Sequence, residues 1–167
     1  MLANKYNLFH ISAGNLLREE INNNGIYKST IESYLLKGNI VPVEITCNLI
    51  KNKIYNNKIN YSKFIIDGFP RNKDNLTGYY SILDNCVNLK GTIVVESDKN
   101  KLLERITLRN RSDDNNEVFN NRIKGYNDYT VPIIEELKNK SLVINVNSNK
   151  NKEDVFKIID KKFKYLL

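Results

Sequence analysis

KFIIDGFPR (63–71) is the stretch on which the fold turns. Residues 63–67 form an apolar, branched run that ends in Asp-Gly, the pattern of a strand buried on both faces. Gly68 lets the backbone approach a ligand closely, and Pro70 stiffens the turn that aims Arg71. Asp67, an acid at the end of such a strand, is well placed to hold a hydrated Mg2+. A bare Asp-Gly step would read as an ordinary turn beside a surface arginine. Five such residues together at a strand end favour a binding site instead.

Outward from this stretch the same pattern recurs. TIVVE (92–96) and SLVINV (141–146) read as further buried strands, and NLFHIS (7–12) as a short one. Helical periodicity predicts helices over 14–24, 28–38, 43–57, 72–84, 98–109 and 151–165. Gly25 separates the first two, and a turn over Gly38–Pro42 the second and third. Residues 114–138 carry one long helical pattern with a kink expected at Pro132. Continuous apolar strands alternating with helices predict an α/β fold, a three-layer parallel sheet with helices on both faces. In such sheets ligands gather beyond the carboxyl ends of the strands. No repeat, low-complexity linker or Pro-rich hinge divides the chain, so 1–167 reads as one domain.

The composition narrows the function. With 41% hydrophobic residues in 167, the chain can bury a core and is not a disordered segment. No stretch approaches the ~18–20 apolar residues of a membrane span, and the N-terminus lacks the pattern of a signal peptide. Cys47 and Cys86 form no CxxC pair, which suits a reducing, cytoplasmic setting. The single His10 cannot supply a multi-histidine metal site and is expected to pack or hydrogen-bond locally. A net charge of +7 admits nucleic acid, an anionic membrane or a polyanionic small molecule. Lysines are scattered, whereas arginines cluster in short patterned segments, and no groove-reading helix or aromatic platform stands out. The expected partner is therefore a polyanionic small molecule, with neither nucleic acid nor membrane.

Four segments in order, FHISAGNLLREE (9–20), GNIVPVEIT (38–46), FIIDGFPRNKDNLTGY (64–79) and RSDDN (111–115), resemble the adenylate kinase superfamily of nucleoside monophosphate kinases, and most closely its UMP/CMP kinases. The likeness runs from about Lys5 to Phe156. It implies a P-loop kinase-like fold and phosphoryl transfer from ATP, with Mg2+, to UMP or CMP, by a cytoplasmic monomer. It also implies roles for matching positions. Arg18 and Arg71 would grip the acceptor phosphate. Asn39, Ile40 and Val41 would line the acceptor base, partly through their backbone, and Gly68, Phe69, Pro70 and Arg71 would floor that site. Asn75 stands where adenylate kinases usually have a Gln that reads adenine; a shorter amide suits a pyrimidine edge. Arg105, Arg109 and Lys150 would contact ATP, while Arg111 and Arg122 would reach the transferring phosphates. Asp113 and Asp114 would brace a short lid at 108–114, and 12–42 would be the monophosphate-binding segment. Arg71, Arg109, Arg111 and Arg122 would thus be the catalytic group, and Asp67 would hold the metal through water. Read without the resemblance, Arg105 and Arg109 could equally be a solvated basic helix face or pair with neighbours such as Glu104.

Two departures from the family pattern stand out. None of the seven glycines is followed by Lys, so the GxxxxGK[ST] phosphate loop is absent, and Met1 matches the end of the helix that would follow it. The strand that precedes this loop in the family lies between those matching 63–67 and 92–96. Its loss would leave two half-sheets with unpaired inner edges, unless the remaining strands close up. An incomplete recorded sequence, such as a mis-called start, is the expectation. The lid is also about four residues short of the UMP/CMP kinase pattern between Arg109 and Arg111. The alternatives to a UMP/CMP kinase are an adenylate kinase acting on AMP and a non-catalytic pyrimidine monophosphate-binding protein.

Overall fold

The computed structural model describes residues 1–109, 111 and 115–166. A short helix α1 (Leu2–Tyr6) ends at Asn7, in the left-handed region at φ 51, and leads into strand β1 (Phe9–Ser12). Helices α2 (Ala13–Asn22), α3 (Lys28–Leu35) and α4 (Val43–Asn57) follow, and then β2 (Phe64–Asp67). Strand β2 lies parallel to β1, with Phe9 opposite Phe64 and Ser12 opposite Asp67. Helix α5 (Lys73–Gly78) runs into a π-helical turn at Tyr79–Leu83. Beyond it come β3 (Gly91–Glu96), α6 (Lys99–Arg109), α7 (Asn116–Gly125), α8 (Val131–Lys138), β4 (Leu142–Asn147) and α9 (Lys152–Phe163). Strands β3 and β4 pair in parallel from Gly91–Leu142 to Glu96–Asn147.

The fold is α/β with parallel strands and covering helices, as the sequence pattern predicts, but the sheet comes in two halves. Among the described residues β2 and β3 do not pair, and a cleft of about 1160 Å3 lies between them. The strands have not moved together to close it. Each half has its own core. Ile11, Leu16, Cys47, Ile50, Ile54 and Leu83 fill the space between the first pair and its helices. Ile144, Val146, Val155 and Ile159 do the same for the second pair. A third cluster joins the halves: Leu76 on α5 packs against Ile133 and Leu137 on α8.

The helix expected over 114–138 runs without a gap from Asn116 to Lys138, and its irregularity falls just before Pro132. Pro132 sits in the first turn of α8, where its missing N–H is tolerated. Its ring would crowd the carbonyl four residues back, and the chain widens just before it into a π-helical turn at Tyr126–Thr130.

Helix α1 ties the start of the first half to the second. Lys5 Nζ donates to Asp160 on α9 at 2.7 Å, Tyr6 OH donates to the same carboxylate at 3.0 Å, and the Tyr6 ring lies 4.7 Å from that of Phe163. The hydrogen bond from Lys5 holds the Asp160 carboxyl below its ordinary range and raises the Lys5 ammonium above its own. A depressed carboxyl stabilises the fold above its unfolded pKa, and that contribution fades as pH falls through the folded one. Asp160→Asn should therefore lower the melting temperature at neutral pH, and the difference from the parent should vanish on acidification. Thermal unfolding from about pH 7 to about pH 2 checks this; a gap that persists in acid would contradict it.

Candidate active site

The carboxyl ends of β1 and β2 meet two helix starts, and the arginines of interest sit there. Arg18 lies on α2, and its Nη2 donates to Asn15 Oδ1 at 2.7 Å. Beyond β2 the chain turns at Gly68, where φ is +74. A Cβ at that position would come within 2.9 Å of Arg71 Nη2, so both the turn and the arginine require glycine. Arg71 Nε donates to the Gly68 carbonyl at 2.8 Å, folding the guanidinium back over the turn. Thr130, at the end of the π-helical turn before α8, donates to the Arg71 carbonyl at 2.7 Å. Asn72 caps α5 by accepting from the Asn75 N–H at 2.8 Å.

Charges gather around Arg71. Its side chain reaches solvent, yet protein surrounds it on most sides, and this loss of water is the first cause that pushes its guanidinium below the ordinary arginine value. Arg122 on α7 and Arg18 push the same way by like-charge repulsion, and Asp67 opposes them. A guanidinium does not deprotonate in a protein, so Arg71 stays charged there. Three arginines held together at strand ends make a site prepared for a dianion. Asp67 Oδ2 lies 3.8 Å from His10 Nε2 at the mouth of the cleft.

Beside this cluster a cavity of about 620 Å3 is lined by Tyr34, Ile40, Pro42, Val43, Asn72 and Asn75, among others. Asn75 is 2% exposed. Its Oδ1 accepts the Arg71 N–H at 3.2 Å, and its Nδ2 is buried without a hydrogen-bond partner. Asn75 borders the cavity, and its amide nitrogen is a buried donor left without a partner once the oxygen is used, the orientation following from the hydrogen-bond network. Val41 borders the same cavity, although its side chain belongs to the cluster of Leu17, Ile31 and Ile45. Asn39 is exposed and lines neither cavity, so the structure does not bring it to the base pocket. Gly68, Phe69 and Pro70 border the larger cleft with Arg71.

The remaining arginines divide. Arg105 donates to Ser148 Oγ at 3.2 Å, to the Ser148 carbonyl and, at 3.2 Å, to the Lys150 carbonyl. It thus joins α6 to the loop after β4, and the exposed Lys150 lies on that loop. Asn149 reinforces the junction, accepting from Ser97 Oγ at 2.8 Å and from the Asp98 N–H at 2.9 Å. Arg109, at the end of α6, and Arg111, just beyond it, are both exposed. Asp113, Asp114 and most of the expected lid tip lie outside the described residues.

Sequence reading missed Asn72, Thr130, Ser148 and Asn149. Each acts on the backbone of another segment or braces one loop against another, and no spacing rule announces such contacts; only the Asn three residues before a helical Asn hinted at a cap.

The described residues contain no helix long and apolar enough to cross a membrane, and no group of three or more His, Cys, Asp or Glu residues that could hold a metal by themselves. A sequence profile described as adenylate kinase matches residues 1–142. The UMP-CMP kinase of Rattus norvegicus is 37% identical over 172 residues, covering 96% of this chain and 88% of that protein. The UMP-CMP kinase of Gallus gallus is 38% identical, covering 93% of this chain and 83% of its own length. UMP-CMP kinase 2 of Caenorhabditis elegans is 37% identical over 161 residues. The profile covers β1, β2 and β3 and ends at the first residue of β4, and the arginine cluster lies within the matched span, near the strand ends where this architecture gathers its ligands. The chain belongs to the adenylate kinase family and is a nucleoside monophosphate kinase, a phosphotransferase acting on small nucleotides.

Proposed function

We propose that the chain transfers the terminal phosphoryl group of ATP to UMP and CMP, giving ADP and UDP or CDP. The observation that carries this reading is the buried Asn75 amide at the edge of the cavity, its nitrogen without a partner, beside the cluster of Arg18, Arg71 and Arg122. The cluster would take the acceptor phosphate, and the cavity next to it the base. A pyrimidine offers Asn75 an acceptor atom, the 4-oxo group of uracil or the ring N3 of cytosine. Satisfying a buried donor is worth about 1–3 kcal/mol. Ile40 and the backbone of Val41 would border the base, and Gly68 to Arg71 the floor beneath the phosphate. In this reading 12–42 is the monophosphate-binding segment and 108–114 the short lid, within one domain over 1–167.

Phosphoryl transfer asks for in-line positioning and charge neutralisation more than for acid–base chemistry. Guanidinium groups provide both, since they are planar, permanently charged and bidentate toward phosphate. Arg71 and Arg122 would hold the acceptor oxygen toward ATP. Arg109 and Arg111 would approach the transferring group from the lid, while Arg105 and Lys150 would border ATP on the side of the β4–α9 loop. Asp67 is a lone, exposed carboxylate, which fits a Mg2+ that keeps its waters and arrives with ATP rather than one caged by protein. When bound, that ion neutralises charge on the phosphate oxygens; Asp67 would orient it through water. The two free cysteines suit a cytoplasmic protein, and we assign it as a monomer there.

The direct test is a coupled assay of the 167-residue chain with Mg·ATP and UMP, CMP or AMP in turn. ADP release with UMP or CMP in excess of AMP is the expected result. Binding of UMP without turnover would replace this reading by that of a pyrimidine monophosphate-binding protein. Asn75→Gln separates the acceptors. The longer amide has to enter a cavity edged by Ile40 and Val43, and the UMP-to-AMP ratio of kcat/KM should fall by about 10-fold or more. A ratio unchanged from the parent would remove Asn75 from base recognition.

A further inference from the structure

We infer that Asn121 is a positioning residue for the acceptor nucleotide, latching one wall of the base cavity to the helix that carries Arg122. Asn121 lies on α7, and its Nδ2 donates to the Lys37 carbonyl at 3.1 Å. The next residue of that loop, Gly38, has φ +70 and sits directly on the same helix. A Cβ there would come within 3.2 Å of the Val118 carbonyl and 3.4 Å of the Asn121 Cβ, so glycine lets the loop lie this close. The loop is also turned back on α3: the Gly38 N–H donates to the Leu35 carbonyl at 3.0 Å, and the Asn39 N–H to the Tyr34 carbonyl at 2.9 Å. Ile40 and Val41, just beyond it, border the base cavity. On the helix side, Arg122 follows Asn121 directly and lies beside Arg71. Within a few residues on either side, the contact joins what would meet the base to what would meet the phosphate. The inference rests on the acceptor site proposed above.

The same helical span holds the opposite wall. Thr130 donates to the Arg71 carbonyl, and the Arg71 N–H donates to Asn75 Oδ1, so the amide at the other edge of the cavity is tied through one residue to the π-helical turn. Arg122 and Thr130 both act on Arg71, although eight positions separate them in the sequence. Two turns of α-helix take about 7.2 residues, which would carry Thr130 past the face that Arg122 occupies. The wider turn at Tyr126–Thr130 takes up the surplus residue and brings the two side chains into line. Both walls of the cavity therefore hang from one continuous stretch, Asn116 to Lys138, and Asn121 is its polar hold on the 12–42 segment. The core of that segment, Leu17, Ile31, Val41 and Ile45, contains no residue of α7, which gives the contacts at Lys37 and Gly38 their weight.

The test compares the 167-residue chain with its Asn121→Ala and Asn121→Gln variants. Asn121 is exposed and alanine is the better helix former, so the melting temperature of Asn121→Ala should hold. Without nucleotide, hydrogen–deuterium exchange over 36–39 should quicken by about 5-fold in Asn121→Ala, since the loop loses one hydrogen bond to the helix. Titration calorimetry with UMP, in the absence of ATP, should show a Kd raised by about 5-fold. Asn121→Gln keeps an amide donor on an exposed edge and should recover most of both losses. Unchanged exchange over 36–39 in Asn121→Ala would overturn the latch, whatever UMP does. Faster exchange with unaltered UMP affinity would overturn the positioning role and reduce the bond to a surface contact. A Kd raised as much in Asn121→Gln as in Asn121→Ala would do the same, by tracing the loss to something other than the donor. A parent chain that binds no UMP would dismiss the acceptor site itself, and the positioning role with it, while quickened exchange in Asn121→Ala would still establish the latch.

Discussion

Arg71→Ala should reduce kcat/KM for UMP by about 10³-fold while leaving the melting temperature unchanged or slightly raised. The loss follows from removing a planar cation that can meet a phosphate through two charge-assisted bonds, each worth about 1.5–3 kcal/mol. The stability half of the prediction has a separate cause. In the unliganded protein Arg71 is deprived of water and repelled by Arg122 and Arg18, with Asp67 in opposition. Its own interactions are modest: Nε reaches the Gly68 carbonyl at 2.8 Å, and the N–H that orients Asn75 belongs to the backbone and survives the substitution. Removing the side chain relieves repulsion that the free protein tolerates for the sake of its ligand, the usual conflict between stability and function. Arg71→Lys keeps the charge without the fork and should lie between the two, recovering about 10-fold of the loss. Steady-state kinetics with UMP and thermal unfolding of the same preparations read both halves. Near-parental kcat/KM for Arg71→Ala would dismiss the acceptor site proposed here. A melting temperature several degrees lower would instead make Arg71 part of the scaffold.

That site was legible in the sequence to an uneven degree, and the unevenness has physical reasons. Helix α4 occupies the residues its periodicity predicts, because Thr46, Cys47, Ile50 and Ile54 are buried along one side of it while Ile45 packs in a neighbouring cluster. The strands were legible because continuous branched apolar runs have few other uses. Helix α1 left no periodic trace, since none of its residues is buried; it is held by Lys5 and Tyr6 acting on a carboxylate 154 or more positions away. The π-helical turns were not legible either, as one extra residue per turn shifts the pattern without erasing it. At the site itself, Arg18, Arg71 and Asn75 stood in segments with a recognisable order. The state of Asn75 did not. As an isolated residue it offers one donor and one acceptor, and only the fold shows that the Arg71 N–H consumes the acceptor. Arg105 illustrates the converse: the resemblance suggested a ligand contact, while its guanidinium stitches α6 to the carbonyls of Ser148 and Lys150.

The two halves of the sheet share no ladder hydrogen bonds, so what couples them is side-chain packing, and Leu137→Ala should expose this. Leu137 is 3% exposed on α8 and packs with Leu76 and Ile133 in the cluster that joins the halves. Truncating a buried leucine removes its transfer free energy and leaves a cavity that neighbours fill only in part, at a cost of about 2.7–5 kcal/mol. For a chain of this size that corresponds to a fall in melting temperature of roughly 6–15 °C. Ile50→Ala, in the core of the first half alone, should cost a similar amount. The two variants should differ in how they unfold. Ile50→Ala weakens one half while the joint stays intact, so unfolding remains a single transition. Leu137→Ala weakens the apolar joint itself, leaving the halves held by α1 on α9, by polar contacts such as Thr130 on the Arg71 carbonyl and Lys73 on Glu136, and by the chain connections. Its denaturant curve should broaden, with fluorescence and circular dichroism midpoints that no longer coincide. Coincident midpoints for Leu137→Ala would mean that the coupling lies elsewhere. In that event Asp160→Asn, which cuts the Lys5 and Tyr6 contacts to α9, becomes the substitution that should separate the two transitions.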